Sequence, residues 1–367
     1  MTAISEDDIW AALAGITLPN TDKSIIDKNM VSSLILKDRN VSFAIEINPS
    51  EKEIMEPVRR AAEAKILGLP GISSVTAVLT AHKSEPNSAS IVNSKETNEK
   101  RELAPDVKWI VAVASGKGGV GKSTTAVNLA LSMAKIGLSV GLLDADIYGP
   151  SIPRMLNIKG KPKPLPNKRI APMEKYGIKV MSIGFLIDEE TPMIWRGPMV
   201  MGALEQMLRD VDWGKLDILV VDMPPGTGDA QLTMAQRVPL AGAVIVSTPQ
   251  DIALIDARKG LNMFRKVNVP VLGIIENMST FLCPNCGHRT DIFGHGGAKI
   301  EAEKHDCNFL GEIPLELDIR VTSDTGNPVV ISQPESSYSE IYNEIANKII
   351  HTLSGKPLRM APKIIME

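Results

Sequence analysis

Ser115-Gly116-Lys117-Gly118-Gly119-Val120-Gly121-Lys122-Ser123-Thr124 fits G-x-x-x-x-G-K-[ST], the spacing of a phosphate-binding loop. Its glycines let backbone N–H groups close around phosphate oxygens where a Cβ would obstruct them. In such a loop Lys122 reaches the β- and γ-phosphates of ATP and the Ser123 hydroxyl ligates Mg²⁺, while the N-terminus of the next helix adds a favourable dipole. Two further acids, Asp144 and Asp146, close the run Ser139-Val-Gly-Leu-Leu. Acids at the carboxyl end of a strand beside a phosphate site hold Mg²⁺ through water or orient an attacking water; the alternative is a turn-capping pair. Asp222 ends the apolar run Ile218 to Val221 and precedes Met-Pro-Pro-Gly-Thr-Gly-Asp229. It fits the Walker-B carboxylate that helps hold Mg²⁺, and the glycines after it let the backbone respond to a γ-phosphate.

A different chemistry sits in Phe281-Leu-Cys283-Pro-Asn-Cys286-Gly-His288. Two thiols two residues apart in a Pro and Gly turn can grip one metal centre, yet a Cys₄ zinc site or a [4Fe–4S] cluster wants four. Three readings follow. The same pair from each subunit of a two-fold dimer completes a bridging centre. Alternatively zinc completes its shell within one chain from His288, His295 or Cys307, since Cys-Pro-x-Cys-Gly resembles half a zinc ribbon. A thioredoxin-like redox pair ranks last, because that motif opens a helix after a strand in another fold. Cys307 reads as a core residue, and His295, in a glycine-rich turn ahead of a helix, carries no assigned chemistry.

These residues need elements to hold them. Trp109 to Ala114 is an unbroken apolar run, as a parallel strand covered on both faces requires, and Ala126, Leu129, Ala130, Met133 and Ile136 recur at helical spacing up to Gly137. Ala243 to Ser247, Val271 to Ile275 and Phe309 to Pro314 supply more strands, with helices over about 252–267 and 338–353. Strands alternating with helices predict an α/β fold of the P-loop NTPase kind, a mostly parallel sheet with helices on both faces, over residues 106–367. Residues 1–83 read instead as a small α+β unit. A helix begins at Ser5-Glu6-Asp7-Asp8, an alternating strand covers Val41 to Ile47, a helix runs from Ile54 to Ile66 with Pro57 as an alternative start, and a strand spans Ile72 to Leu79. Between the two units, 84–105 is rich in Ser, Asn, Glu and Lys and predicts a flexible linker.

The chain has 367 residues, is 44% hydrophobic and 23% charged, and carries a net charge of -3, which offers no general basic footprint for nucleic acid. Lys159, Lys161, Lys163, Lys168 and Arg169 gather among prolines and read as a solvated loop. No apolar run suits a bilayer span, the end of the chain shows no basic amphipathic helix for membrane docking, and the acidic start shows no secretory signal. Three cysteines argue for a reducing compartment, with a cytoplasmic location expected.

Taken together, Lys117 to Ser123, Asp144-Ala-Asp-Ile-Tyr-Gly-Pro-Ser151, Trp195-Arg-Gly-Pro198, Asp222 to Asp229, Asn277-Met278 and Cys283-Pro-Asn-Cys286 resemble the Mrp/ApbC iron–sulfur cluster carriers. The first unit resembles their MIP18-like domain, with Asn48-Pro49 where members commonly have Cys-Pro. The resemblance implies a homodimeric, slowly hydrolysing ATPase that carries a [4Fe–4S] cluster on Cys283 and Cys286 of both subunits and passes it between scaffold proteins and apoproteins. It further implies that Lys117 crosses the dimer to the partner's nucleotide, that Asp144 is an outer-shell magnesium contact, that Asp146 orients water, and that Asn277 reads adenine. The competing function is a positioning or regulatory ATPase of the deviant Walker-A kind, with structural zinc at the cysteine pair.

Overall fold

The computed structural model describes residues 6–19, 23–28, 30–37, 40–47, 52–72, 74–81, 103–166, 169–186 and 197–355. They form two compact units, one within residues 1–97 and one within 98–367. The expected linker falls almost wholly outside the described residues, as do Ser5, Asn48-Pro49, Lys168, Trp195-Arg196 and the tail from residue 356.

In the first unit, α1 (Glu6–Ala14) precedes β1 (Val31–Lys37), β2 (Asn40–Ile47), α2 (Lys52–Leu67) and β3 (Ser74–Ala81). The sheet order is β1-β2-β3, antiparallel then parallel. Alternation along β2 puts Val41, Phe43, Ile45 and Ile47 inward, where they meet Ile9, Leu13, Val58, Ala62 and Ile66 from the two helices. Pro57 does not start α2; the helix begins at Lys52 and runs through it. Proline there removes one early backbone bond, and Arg59, which bonds Glu56 at 2.6 Å and Glu63 at 2.7 Å, ties the following turns together. The last strand lies two residues later than its apolar run suggested, because Ile72 closes the turn after Leu69.

The second unit runs β4 (Val107–Ala114), α3 (Lys122–Lys135), β5 (Val140–Asp144), α4 (Ile152–Met155), β6 (Met173–Lys175), β7 (Ile178–Ser182), α5 (Gly197–Asp210) and β8 (Leu216–Asp222). It continues with α6 (Asp229–Arg237), β9 (Gly242–Ser247), α7 (Asp251–Lys266), β10 (Val271–Asn277), β11 (Phe281–Leu282) and β12 (Arg289–Thr290). The chain then forms α8 (Gly297–Lys304), β13 (Phe309–Ile313), α9 (Leu317–Asp324), α10 (Val329–Ser332) and α11 (Ser337–Ser354). Its 8-stranded sheet has the order β13-β10-β9-β4-β8-β5-β7-β6, parallel except for β6 on β7. This is the P-loop NTPase α/β architecture, with the long apolar strands buried beneath helices.

The antiparallel β6–β7 edge is absent from the sequence reading. Its strands are short and mixed, and the only local signal is the turn, where Tyr176 (φ 50°) and Gly177 (φ 78°) both take the left-handed conformation that tight hairpins use. For the site, the decisive feature is register. Val113 pairs with Asp222 across β4–β8, and Asp144 pairs with Asp222 across β5–β8. The phosphate loop and both acids therefore leave the sheet side by side at one end.

Candidate nucleotide site and cysteine arm

The loop between β4 and α3 turns on two left-handed glycines, Gly119 (φ 81°) and Gly121 (φ 78°), a conformation that L side chains resist. Gly116 lies against the backbone of Asp256 in α7, and Gly121 lies against the amide of Asn277; a Cβ at either position would collide. The loop encloses one side of an open cleft of about 670 Å³ lined by Lys117, Gly118, Gly119, Gly121, Lys122, Ser123, Thr124, Asp146 and Asn277, among others. Gly116 and Val120 stand behind this lining: Val120 is buried, and its carbonyl accepts the Asn277 amide N–H at 2.8 Å.

At the base of the cleft Lys122 is buried and donates to Asp222 Oδ1 at 2.5 Å and to Ser123 Oγ at 3.2 Å. Asp144, fully buried beside it, accepts from Ser182 Oγ at 3.0 Å, Ile152 N–H at 3.2 Å and Asp146 N–H at 3.2 Å. Burial, and then the negative charge of Asp222, push the Asp144 carboxyl up to about 7. Burial also raises Asp222, against the pull of Lys122, and raises Asp146. Two carboxylates in register on adjacent strands are about 5 Å apart in backbone, so ionising both without a further cation is costly.

The residues fit Mg²⁺ on one direct observation. Asp222 Oδ2 is buried, and apart from the Ser123 hydroxyl beside the carboxylate it meets no hydrogen-bond donor among the described residues, which leaves acceptor capacity for a cation. Ser123 and Asp222 would hold the ion, with Asp144 behind them; the ion would offset the phosphate charge. The loop after Asp222 is tied back to the phosphate loop, since Gly226 N–H donates to Ser115 O at 3.0 Å, and Pro225 lines the cleft. Pro314 and Leu315, just past β13, and Arg154 and Met155 on α4 also line it, though no motif marks them in the sequence.

Cys283 and Cys286 lie outside this cleft, in a hairpin closed by β11 and β12. Cys283 is half-buried and Cys286 exposed. Cys283 N–H donates to His288 O at 2.9 Å and Gly287 N–H to Cys283 O at 2.8 Å, which holds the turn. Backbone N–H groups of Asn285 and Cys286 point at the Cys283 sulfur and lower its pKa, favouring the thiolate that binds metal. Among the described residues, this pair gathers no third His, Cys, Asp or Glu atom into a metal-holding group. Cys307 is half-buried against the small apolar cluster that includes Leu254 and Ile274, and burial raises its thiol. His295, one of the candidate zinc ligands, sits 2.9 Å from Glu312 instead.

Residues 106–350 match the family described as NUBPL iron-transfer P-loop NTPase, and residues 6–79 match that described as iron-sulfur cluster assembly protein. The chain is 57% identical over 260 residues to the iron-sulfur cluster transfer protein NUBPL of Mus musculus, covering 70% of this chain and 82% of that one. It is 43% identical over 356 residues to an iron-sulfur cluster carrier protein of Synechocystis, covering 96% and 98% respectively. Among solved structures, a nucleotide-binding protein from Archaeoglobus fulgidus in complex with ADP superimposes with a TM-score of 0.56 at 42% identity, covering 65% of this chain and 93% of that one. The septum site-determining protein MinD of Pyrococcus horikoshii, at 22% identity and a TM-score of 0.50, shares the fold.

Proposed function

The chain belongs to the NUBPL iron-transfer P-loop NTPase family of iron-sulfur cluster carrier proteins, and from that premise we propose that it is a slow ATPase which carries a [4Fe–4S] cluster between the two subunits of a homodimer and hands it to apoproteins. The observation that carries this reading is the incomplete thiol set. Cys283, half-buried with its thiolate favoured, and Cys286, exposed, share one turn that finds no third ligand among the described residues. A second copy of the same turn, related by a two-fold axis, supplies the missing two sulfurs. The cluster is cargo: scaffold proteins would load it and apo iron–sulfur proteins receive it, in a reducing compartment such as the cytoplasm, with no part for nucleic acid. Among the described residues, no helix is long and apolar enough to cross a membrane.

At the nucleotide site Lys122 would leave Asp222 to meet the β- and γ-phosphates, so nucleotide entry exchanges one anionic partner for another. Mg²⁺ would neutralise phosphate charge there. Asp146, at the cleft wall, would orient the attacking water, and Asn277 and the backbone past β13 would receive adenine. Lys117, at the cleft mouth, would reach the partner's nucleotide in the closed dimer, which makes turnover slow until the dimer closes. Binding linkage then runs both ways: a nucleotide that favours one dimer geometry changes cluster affinity, and the cluster changes nucleotide affinity by the same factor.

Anaerobic reconstitution with iron and sulfide, followed by metal counts on the wild type and on Cys283→Ala/Cys286→Ala, tests the reading. Four irons and four sulfides per dimer, abolished in the double variant, are expected for the cluster. Zinc at about one per dimer that survives iron and sulfide would instead establish the structural-zinc, regulatory ATPase. A monomer holding its full iron complement would end the bridging arrangement.

A further inference from the structure

Strand β10 ends in two consecutive residues whose side chains leave opposite faces of the sheet. On one face Asn277 lines the nucleotide cleft and bonds the phosphate-loop backbone at Val120 O. On the other, Glu276 is completely buried. Its Oε1 accepts from Ser279 Oγ at 2.8 Å and from Gly296 N–H at 2.8 Å, and its Oε2 accepts from Ala298 N–H at 2.8 Å.

These donors come from both ends of one segment. Ser279 lies where the chain leaves the sheet toward Cys283 and Cys286, and Gly296 and Ala298 lie where it returns to begin α8. The α8 N-cap is Gly296, which has no side chain to satisfy the first-turn N–H groups, so the Glu276 carboxylate serves as the cap from another element. The departing strand is fastened a second time. Ser279 N–H donates to Ile313 O at 3.0 Å and Leu315 N–H to Thr280 O at 2.7 Å, next to Pro314 and Leu315 in the cleft wall. Met278, between the Asn277 and Ser279 contacts, is held left-handed at φ 57°, which fixes the angle at which the arm leaves.

We propose that Glu276 is a positioning residue that passes nucleotide occupancy to the cysteine arm. Both ends of the arm are fastened to one carboxylate, and that carboxylate stands one residue from the contact that holds the phosphate loop. A displacement of the phosphate loop or of Asn277 on nucleotide binding moves the end of a rigid strand, and Glu276 carries the movement to the base of the hairpin. The inference rests on the cluster-carrier reading for its purpose, but its test needs no cluster.

Hydrogen exchange of peptides spanning 278–296 is measured on the iron-free full chain with and without Mg-ADP and a non-hydrolysable ATP analogue. In the wild type, nucleotide changes arm exchange several-fold, within the range of about 5–150-fold typical of coupled sites. Glu276→Gln keeps the shape but turns a donor toward N–H donors. It should bring the ratio of arm exchange with and without nucleotide close to 1, while Mg-ADP affinity changes by less than about threefold. A merely structural role would raise exchange equally in both states and leave the ratio at its wild-type value, and that result overturns the proposal, as does a wild-type arm indifferent to nucleotide. If Glu276→Gln melts below assay temperature, Ser279→Ala removes one donor while keeping the α8 cap; a partial fall in the ratio is expected, and an unchanged ratio refutes the inference. Iron and sulfide counts decide the carrier reading separately.

Discussion

Replacing Asp144 by Asn should stabilise the nucleotide-free protein above neutral pH while weakening its hold on Mg-nucleotide. The carboxyl is fully buried, beside Asp222 in strand register, and its pKa is raised from 3.8 to about 7. A carboxylate pKa higher in the folded than in the unfolded chain means that the folded state binds more protons between those values. Stability therefore falls as pH rises from about 4 to about 7, and the full cost is present above that. With 1.36 kcal/mol per pH unit of difference, the cost is about 2 kcal/mol at pH 5 and about 4 kcal/mol at pH 8. The carboxamide of the variant does not ionise, so it escapes both. Because Asp146 N–H and Ile152 N–H bond different oxygens of Asp144, the carboxamide also turns its NH₂ toward one of the two donors, losing about 1–3 kcal/mol at every pH. That offset cancels when the two pH values are compared, leaving a relative gain of about 2–3 kcal/mol for Asp144→Asn between pH 5 and pH 8. For a unit of this size the gain is about 5–10 °C in Tm. Thermal unfolding of both proteins in EDTA, without nucleotide, at the two pH values measures it. A Tm difference between variant and wild type that is the same at pH 5 and pH 8 would refute the idea that a buried, charge-crowded Asp144 waits for a cation.

Three other expectations follow from the same cluster. Lys122→Ala leaves Asp222 buried without its cation, so apo stability should drop by up to about 3–5 kcal/mol, less at low pH where Asp222 takes a proton, and Mg-ADP binding by calorimetry should be lost. Mg-ADP affinity of the wild type should increase with pH through about 7 as Asp144 ionises; Ser182→Ala, which removes a hydrogen bond that favours the ionised form, should move the midpoint of that titration upward.

Much of the site could be read along the chain because phosphate binding is a local problem. A loop that wraps phosphate needs glycines, a lysine and a hydroxyl in fixed order, all within ten consecutive residues, and the apolar runs before Asp144, Asp222 and Asn277 announce strands whose ends deliver them. The thiol pair is equally local, since two sulfurs on one turn share a direction. The edge hairpin of β6 and β7 escaped because short edge strands with mixed faces lack the apolar run that marks buried ones.

Amino-acid order by itself determined which candidate groups are present: a loop of phosphate-binding spacing, acids at the ends of strands, two thiols on one turn, and the α/β frame that carries them. Tertiary structure alone decided how they act on one another. The register that sets Asp144 against Asp222 comes from strands brought together across 78 residues of chain. The grip of Glu276 on both ends of the cysteine arm depends on α8 returning to β10. Burial and charge proximity depend on distance in space, and no spacing in the sequence encodes the distance between residues that meet only after the sheet has formed.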